Sequence, residues 1–146
     1  MLGIIIATHG TLSDGLKNAG EVIMGQTERI ETINLVSGQA VESIKDEVMD
    51  KIDALGTDDG IVILTDVAGA SPYNQSLLAL HELDDAKRRQ LRVLYGVNLP
   101  MLLSTMNQQF LNQPLDQAVA TILTETATSM GQWEMNSADN EDDDDF

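Results

Sequence analysis

Hydrophobic and polar positions change period several times along the chain, and each change marks an element. Leu2 to Ala7 (LGIIIA) and Gly60 to Thr65 (GIVILT) are unbroken apolar runs, rich in β-branched residues and too short for good helices. That is the pattern of strands buried on both faces. Ile30 to Val36 (IETINLV) and Leu91 to Val97 (LRVLYGV) have similar length and end in turn or polar residues, giving four expected strands. Between the first two, Leu12, Leu16, Ala19, Val22 and Ile23 recur at helical spacing until Gly25. Val41, Ile44, Val48, Met49, Ile52 and Leu55 form the stripe of a second helix, with Lys45, Asp46, Asp50 and Lys51 on its other side and Gly56 at its end. Ser71-Pro72 reads as an N-cap and first-turn pair. The third helix continues through Leu77, Leu78, Ala79 and Leu80 toward the charged segment Asp84 to Arg89. Pro100 opens a short fourth helix. Leu115, Ala118, Val119, Ile122, Leu123 and Thr126 follow Pro114 at helical spacing until Gly131.

Strands alternating with helices predict a parallel sheet, because parallel neighbours need crossover helices between them. The expected fold is α/β and doubly wound: a flavodoxin-like parallel sheet of four strands with helices on both faces. The chain has 146 residues, 42% of them hydrophobic, which suits one domain with one core. No repeat or linker divides residues 1–131.

Charge and missing residue types narrow the function classes. Eight Lys and Arg against 24 Asp and Glu leave a formal charge of −16, which argues against nucleic acid or an anionic membrane as partner. With no cysteine, disulfides, thiol nucleophiles and cysteine metal sites are excluded, and a reducing compartment fits. No apolar run approaches the roughly 18 to 20 residues that span a bilayer, and the N-terminus lacks the flank of a signal peptide, so a cytoplasmic location is expected. Asp139 and Glu141 to Asp145 concentrate acids in the last eight residues, and 139–146 reads as a solvated acidic tail. A docking tail for a basic partner is the alternative.

In doubly wound sheets, ligands gather at the carboxyl ends of the strands. The first strand is followed by Thr8-His9-Gly10-Thr11, the third by Asp66-Val67-Ala68-Gly69-Ala70-Ser71-Pro72, and the fourth by Asn98-Leu99-Pro100. If the first and third strands are neighbours, His9 and Asp66 meet. A carboxylate beside an imidazole accepts the proton of one ring nitrogen, fixes the tautomer and leaves the other nitrogen as an outward nucleophile. Ser71 and the amides at the start of its helix would then face an anion, although capping its own helix is the simpler role for that hydroxyl. Thr11 and Asp14 resemble a capping box for the first helix. There is no GxxxxGK[ST] and no GxGxxG after the first strand, so neither nucleotide-binding loop is supported. With His9 and His81 as the only histidines, a zinc centre is not expected, and His81 beside Glu82, Asp84 and Asp85 reads as a solvated surface group.

Taken together, IIIATHG (Ile4 to Gly10), DVAGASPYN (Asp66 to Asn74) and GVNLPML (Gly96 to Leu102) resemble the three signature segments of enzyme IIA domains of the mannose class in the bacterial phosphotransferase system. Order and spacing match from Met1 to about Gly131. The resemblance implies a phosphocarrier. His9 would accept a phosphoryl group from the histidine phosphocarrier protein (HPr) and pass it to enzyme IIB, which serves the membrane permease components IIC and IID, and Asp66 would orient His9. Ser71, Gly69, Ala70 and Thr8 would surround the phosphoryl group, with Gly10, Asn74 and Asn98 completing the pocket. No cofactor and no metal are implied. The resemblance also implies a homodimer with an antiparallel strand exchanged between subunits; Gln132 to Met135 (QWEM), in the exchanged strand or linker at 132–138, is the candidate.

Two departures matter. Val67 stands where the family often has Thr, and Gly69-Ala70 where it has two glycines, so a hydroxyl and some backbone freedom are lost. Other readings are a regulatory or accessory domain, such as a dihydroxyacetone kinase phosphotransfer subunit, and a noncatalytic module binding a small anion through Ser71 and Asn98.

Overall fold

The structure, a computed structural model, describes residues 1–135. The acidic segment 139–146, and residues 136–138 of the expected exchanged strand or linker, lie outside the described residues. Four strands, β1 (Gly3–His9), β2 (Ile30–Leu35), β3 (Ile61–Thr65) and β4 (Leu91–Leu94), form one parallel sheet in the order β2-β1-β3-β4. Ala7 pairs with Ile33 on one side and Thr65 on the other, so β1 and β3 are neighbours, as the His9–Asp66 argument needs. Strand ends lie within three residues of expectation, with Ile30, Thr65 and Leu91 matching it and the largest change at β4, which stops at Leu94.

Side chains alternate across a strand, and the core divides accordingly. Ile4 and Ile6 of β1 and Val62 and Leu64 of β3 pack with Leu16, Met101, Leu102, Met106, Ala118 and Ile122. These come from α1 (Leu12–Met24), α5 (Leu99–Phe110) and α6 (Leu115–Ala127). Ile5, Ala7, Ile61 and Ile63 face the other way, onto Ile44, Val48, Ile52 and Ala79 of α2 (Ser43–Leu55) and α3 (Ser71–His81). Both faces of β1 and β3 are thus covered, which explains their unbroken apolar runs.

Several local expectations are corrected. The buried line of α1 is Ser13, Leu16 and Gly20, while Leu12, Val22 and Ile23 are exposed. The helix turns this way because Gly20 lets it pack tightly on α5: a Cβ there would lie 2.9 Å from the Met106 sulfur. Ala70, not Ser71, is the N-cap of α3, leaving Ser71-Pro72 as its first two helical residues. The fourth expected helix, α5, is twelve residues long rather than short. The charged segment folds separately as α4 (Asp85–Arg88), where the Asp84 side chain caps the Lys87 N–H at 2.8 Å. The last helix ends at Ala127, short of Gly131. Gln132 to Met135 has no regular secondary structure in the single chain. Among the described residues, no helix is long and apolar enough to cross a membrane.

Candidate functional site

The site stands at the carboxyl edge, where β1 and β3 end side by side. His9 is the last residue of β1, and Gly10, in the left-handed region at φ +59°, turns the chain away. The Gly10 N–H donates to Leu35 O at 2.8 Å, so ladder bonding continues one residue beyond the histidine. Asp66 follows β3 directly. Its Oδ2 lies 2.7 Å from His9 Nδ1 and accepts the His9 backbone N–H at 2.9 Å, while Oδ1 accepts the Val67 N–H at 3.0 Å. Two bonds to one histidine, one from its backbone and one to its ring, fix both the loop and the imidazole.

Burial alone would raise the Asp66 carboxyl. The hydrogen bonds from His9 backbone and ring, the His9 charge and the Val67 N–H outweigh it and hold Asp66 below the ordinary carboxylate value. An ionised carboxylate is an acceptor only, so the Nδ1 atom facing it carries a proton. In the neutral ring the lone pair is then on Nε2. The His9 side chain is 48% exposed against 11% for Asp66, so the imidazole is open to solvent while its partner is shielded.

The loop from β3 to α3 supplies donors. Gly69, at φ +78°, makes the turn, and the Asn74 side-chain amide donates to Gly69 O at 2.8 Å and braces it from within the helix. The Ala70 N–H is used by Val67 O, but among the described residues those of Ala68, Gly69 and Ser71 meet no backbone acceptor. The Ser71 hydroxyl makes no hydrogen bond among the described residues either. With α3 uncapped, its positive end and a free hydroxyl remain available to an anion. Gly96 N–H donates to Asp66 O at 3.1 Å, tying the end of β4 to the same loop.

Other expected site residues are placed differently. Thr8 is fully buried on the face of β1 opposite His9, and its hydroxyl has no hydrogen-bond partner among the described residues. The Asn98 side-chain oxygen caps α5, accepting the Met101 N–H at 2.8 Å, and the exposed Asn74 donates its amide to Gly69 O, so one polar atom of each amide is committed to the backbone. His81 is exposed at the end of α3, and its neighbour Glu82 pairs with Lys45 at 2.6 Å. The Thr11–Asp14 capping box is absent: Thr11 makes no side-chain cap, and Asp14 instead accepts from Thr32 at 2.7 Å and Asn34 at 2.6 Å on β2. Sequence reading missed this second polar cluster; its one signal was Asn34, a polar residue late in an otherwise apolar run. Among the described residues no three metal-ligating side chains gather. A cavity of about 520 Å³ lined by Met1, Asp58, Asp59 and Asn112 lies at the amino edge, away from His9.

Comparison with known proteins gives the arrangement a context. A model of the family described as PTS system fructose IIA component matches residues 3–123. The PTS system mannose-specific EIIAB component of Escherichia coli (strain K12) is 28% identical over 119 residues, 82% of this chain and 35% of that one. The chain therefore spans about a third of that relative's length. The PTS system sorbose-specific EIIA component of Lacticaseibacillus casei is 28% identical over 100 residues, 68% of each chain. The crystal structure of phosphotransferase system component EIIA from Streptococcus agalactiae superposes with a TM-score of 0.80 at 27% identity, covering 90% of this chain and 97% of that one.

Proposed function

The chain belongs to the PTS fructose IIA component family, and from that premise we propose that it is a phosphocarrier of the sugar phosphotransferase system, with His9 Nε2 as the atom that carries the phosphoryl group. The observation that carries this reading is the 2.7 Å contact between His9 Nδ1 and Asp66, which commits one ring nitrogen and leaves the other exposed.

The chemistry needs little machinery. The Nε2 lone pair attacks phosphorus in line, the bond from phosphorus to the donor's histidine nitrogen breaks, and that nitrogen keeps the electron pair. Positive charge spreads over the His9 ring, where Asp66, hydrogen-bonded to Nδ1–H, stabilises it. The transferred group carries its negative charge on equatorial oxygens, and uncommitted N–H groups at Ala68, Gly69 and Ser71 with the Ser71 hydroxyl suit that charge. Delivery to an acceptor histidine is the same step reversed, with phosphorus leaving Nε2. Positioning and electrostatics supply the catalysis.

On this reading the donor is the histidine phosphocarrier protein, the acceptor is enzyme IIB, the permease components are served indirectly, and the location is cytoplasmic. The −16 charge supports a basic face on whichever protein docks. A homodimer that exchanges the Gln132–Met135 segment is part of the reading, supported by three large exposed apolar residues, Met130, Trp133 and Met135, near the end of the described chain.

Intact-mass spectrometry at neutral or alkaline pH, after incubation with phosphoenolpyruvate, enzyme I and the histidine phosphocarrier protein, tests the reading. One acid-labile phosphoryl group on the wild type and none on His9→Ala is expected. A folded wild type that takes none in the presence of competent donors overturns it.

A further inference from the structure

The polar cluster between α1 and β2 plays no part in the phosphoryl chemistry above, yet it is built like a clasp. Ser13, fully buried, donates its hydroxyl to Asn34 Oδ1. Asn34 Nδ2 donates to Asp14 Oδ2 at 2.6 Å, and Thr32 donates to Asp14 Oδ1 at 2.7 Å. Each polar group has one role: the Ser13 hydroxyl sets the orientation of the Asn34 amide, and that orientation points an N–H₂ at the carboxylate. Hydrogen bonds from Thr32 and Asn34 hold the Asp14 carboxyl below its ordinary value, so the bonds are charge-assisted.

Its position gives the clasp a purpose. Only Gly10 and Thr11 separate His9, the end of β1, from Leu12, the start of α1. In the sheet register Thr8 lies beside Asn34 and His9 beside Leu35. The short turn is therefore fixed to β2 on both sides: by Gly10 N–H to Leu35 O before it, and by Ser13 and Asp14 to Asn34 after it. Thr11 does not cap α1, and Asp14, which could have helped cap it, is diverted to the strand. Any slide of the helix start passes through two residues, one of them glycine, to the histidine backbone.

We propose that Asp14 and Asn34 are positioning residues for the phosphoryl acceptor, clasping the start of α1 to β2 so that the His9 ring stays on Asp66. This rests on the reading of His9 as acceptor, so the test has one arm that needs no partner. In the free protein, ¹⁵N NMR of the His9 ring reports the fraction of the Nδ1–H tautomer. In the transfer assay, the dependence of rate on phosphorylated carrier concentration separates maximal rate from half-saturation.

Asn34→Leu keeps the bulk and removes both bonds. It is expected to lower the Nδ1–H fraction and to reduce the maximal rate roughly tenfold, with half-saturation changed by less than about twofold, as misplacement rather than lost docking requires. Asn34→Asp sets two carboxylates against each other and is expected to be at least as damaging. The exchange Asp14→Asn with Asn34→Asp restores a donor facing an acceptor, keeps the net charge, and is expected to recover the maximal rate to within about threefold of wild type. Thr32→Val, which deletes one donor and keeps its shape, is a milder variant that carries the same test if Asn34→Leu does not fold.

A folded Asn34→Leu or Thr32→Val with a lower melting temperature but wild-type tautomer and maximal rate overturns the proposal and leaves the clasp only a stabilising one. Failure of the exchange to restore the tautomer and rate lost in Asn34→Asp overturns it as well. If the wild type takes no phosphoryl group at all, the functional reading falls, and the tautomer arm still decides the clasp.

Discussion

Replacing Asp66 by Asn separates the charge of this side chain from its shape. The carboxylate accepts three N–H groups, two at Oδ2 from His9 and one at Oδ1 from Val67. An amide has one acceptor oxygen and must choose. With its oxygen at the Oδ2 position it keeps both His9 bonds, turns its N–H₂ against the Val67 N–H and offers no charge to the ring. Charged hydrogen bonds exceed neutral ones by about 1 to 2 kcal/mol, so transfer slows about 5- to 30-fold from that loss alone. With the amide reversed, N–H₂ faces Nδ1 and draws a ring tautomer with its proton on Nε2. The nucleophilic lone pair is then lost, and wrong-tautomer penalties reach about 10⁴-fold. Rapid-quench measurement of phosphoryl arrival at His9 in Asp66→Asn, with circular dichroism to confirm the fold, is expected to show a slowing of at least about fivefold. A folded variant within about twofold of wild type refutes the assignment of Asp66 as the group that orients and stabilises the ring.

Further outcomes follow from the same geometry. The Asp66 carboxyl titrates below its unfolded value, so its contribution to stability is fully present above about pH 4 and is lost as pH falls through the lower folded value; the stability gap between wild type and Asp66→Asn in urea melts is expected to narrow on acidification below that point. Ser71→Ala removes a hydroxyl with no partner among the described residues and is expected to leave urea stability within about 0.5 kcal/mol while slowing transfer. Asn98→Ala loses the α5 cap and is expected to cost about 0.5 to 2 kcal/mol in the same melts with phosphorylation of His9 retained. Gly69→Ala forces a side chain onto φ +78° and is expected to lower stability by about 1 to 2 kcal/mol, read from chemical denaturation. Raising ionic strength from low to physiological is expected to slow association of a basic carrier with this chain, measured by stopped flow; an unchanged rate argues against electrostatic steering.

How much was legible in the sequence depended on whether one chain segment held the information. The buried strands were plain because runs such as Ile61–Thr65 are apolar on both faces, a signal that survives without knowledge of neighbours. The His9–Asp66 pairing follows from β1 and β3 being neighbours, since His9 ends β1 and Asp66 comes directly after β3. What stayed hidden depended on contacts between elements. The buried side of α1 shares only Leu16 with the expected buried stripe, because Gly20, which carries no hydrophobic signal, lets α5 approach and draws Ser13 inside. Asp14 fits a capping box by spacing, but Thr32 and Asn34, distant in sequence, outbid the helix start for its carboxylate. Thr8 lies next to His9 in sequence and on the opposite face of the strand, where the alternation that revealed the core also removes it from the open side of the site.

On the proposed reading, Asp66 commits Nδ1 of His9 and leaves Nε2 to carry phosphorus. The most direct test is NMR of the phosphorylated, ¹⁵N-histidine-labelled protein, in which coupling to phosphorus identifies the bonded ring nitrogen. Phosphorus on Nε2 of His9, with the proton still on Nδ1, is the expected result. Phosphorus on Nδ1, or on any residue other than His9, contradicts it.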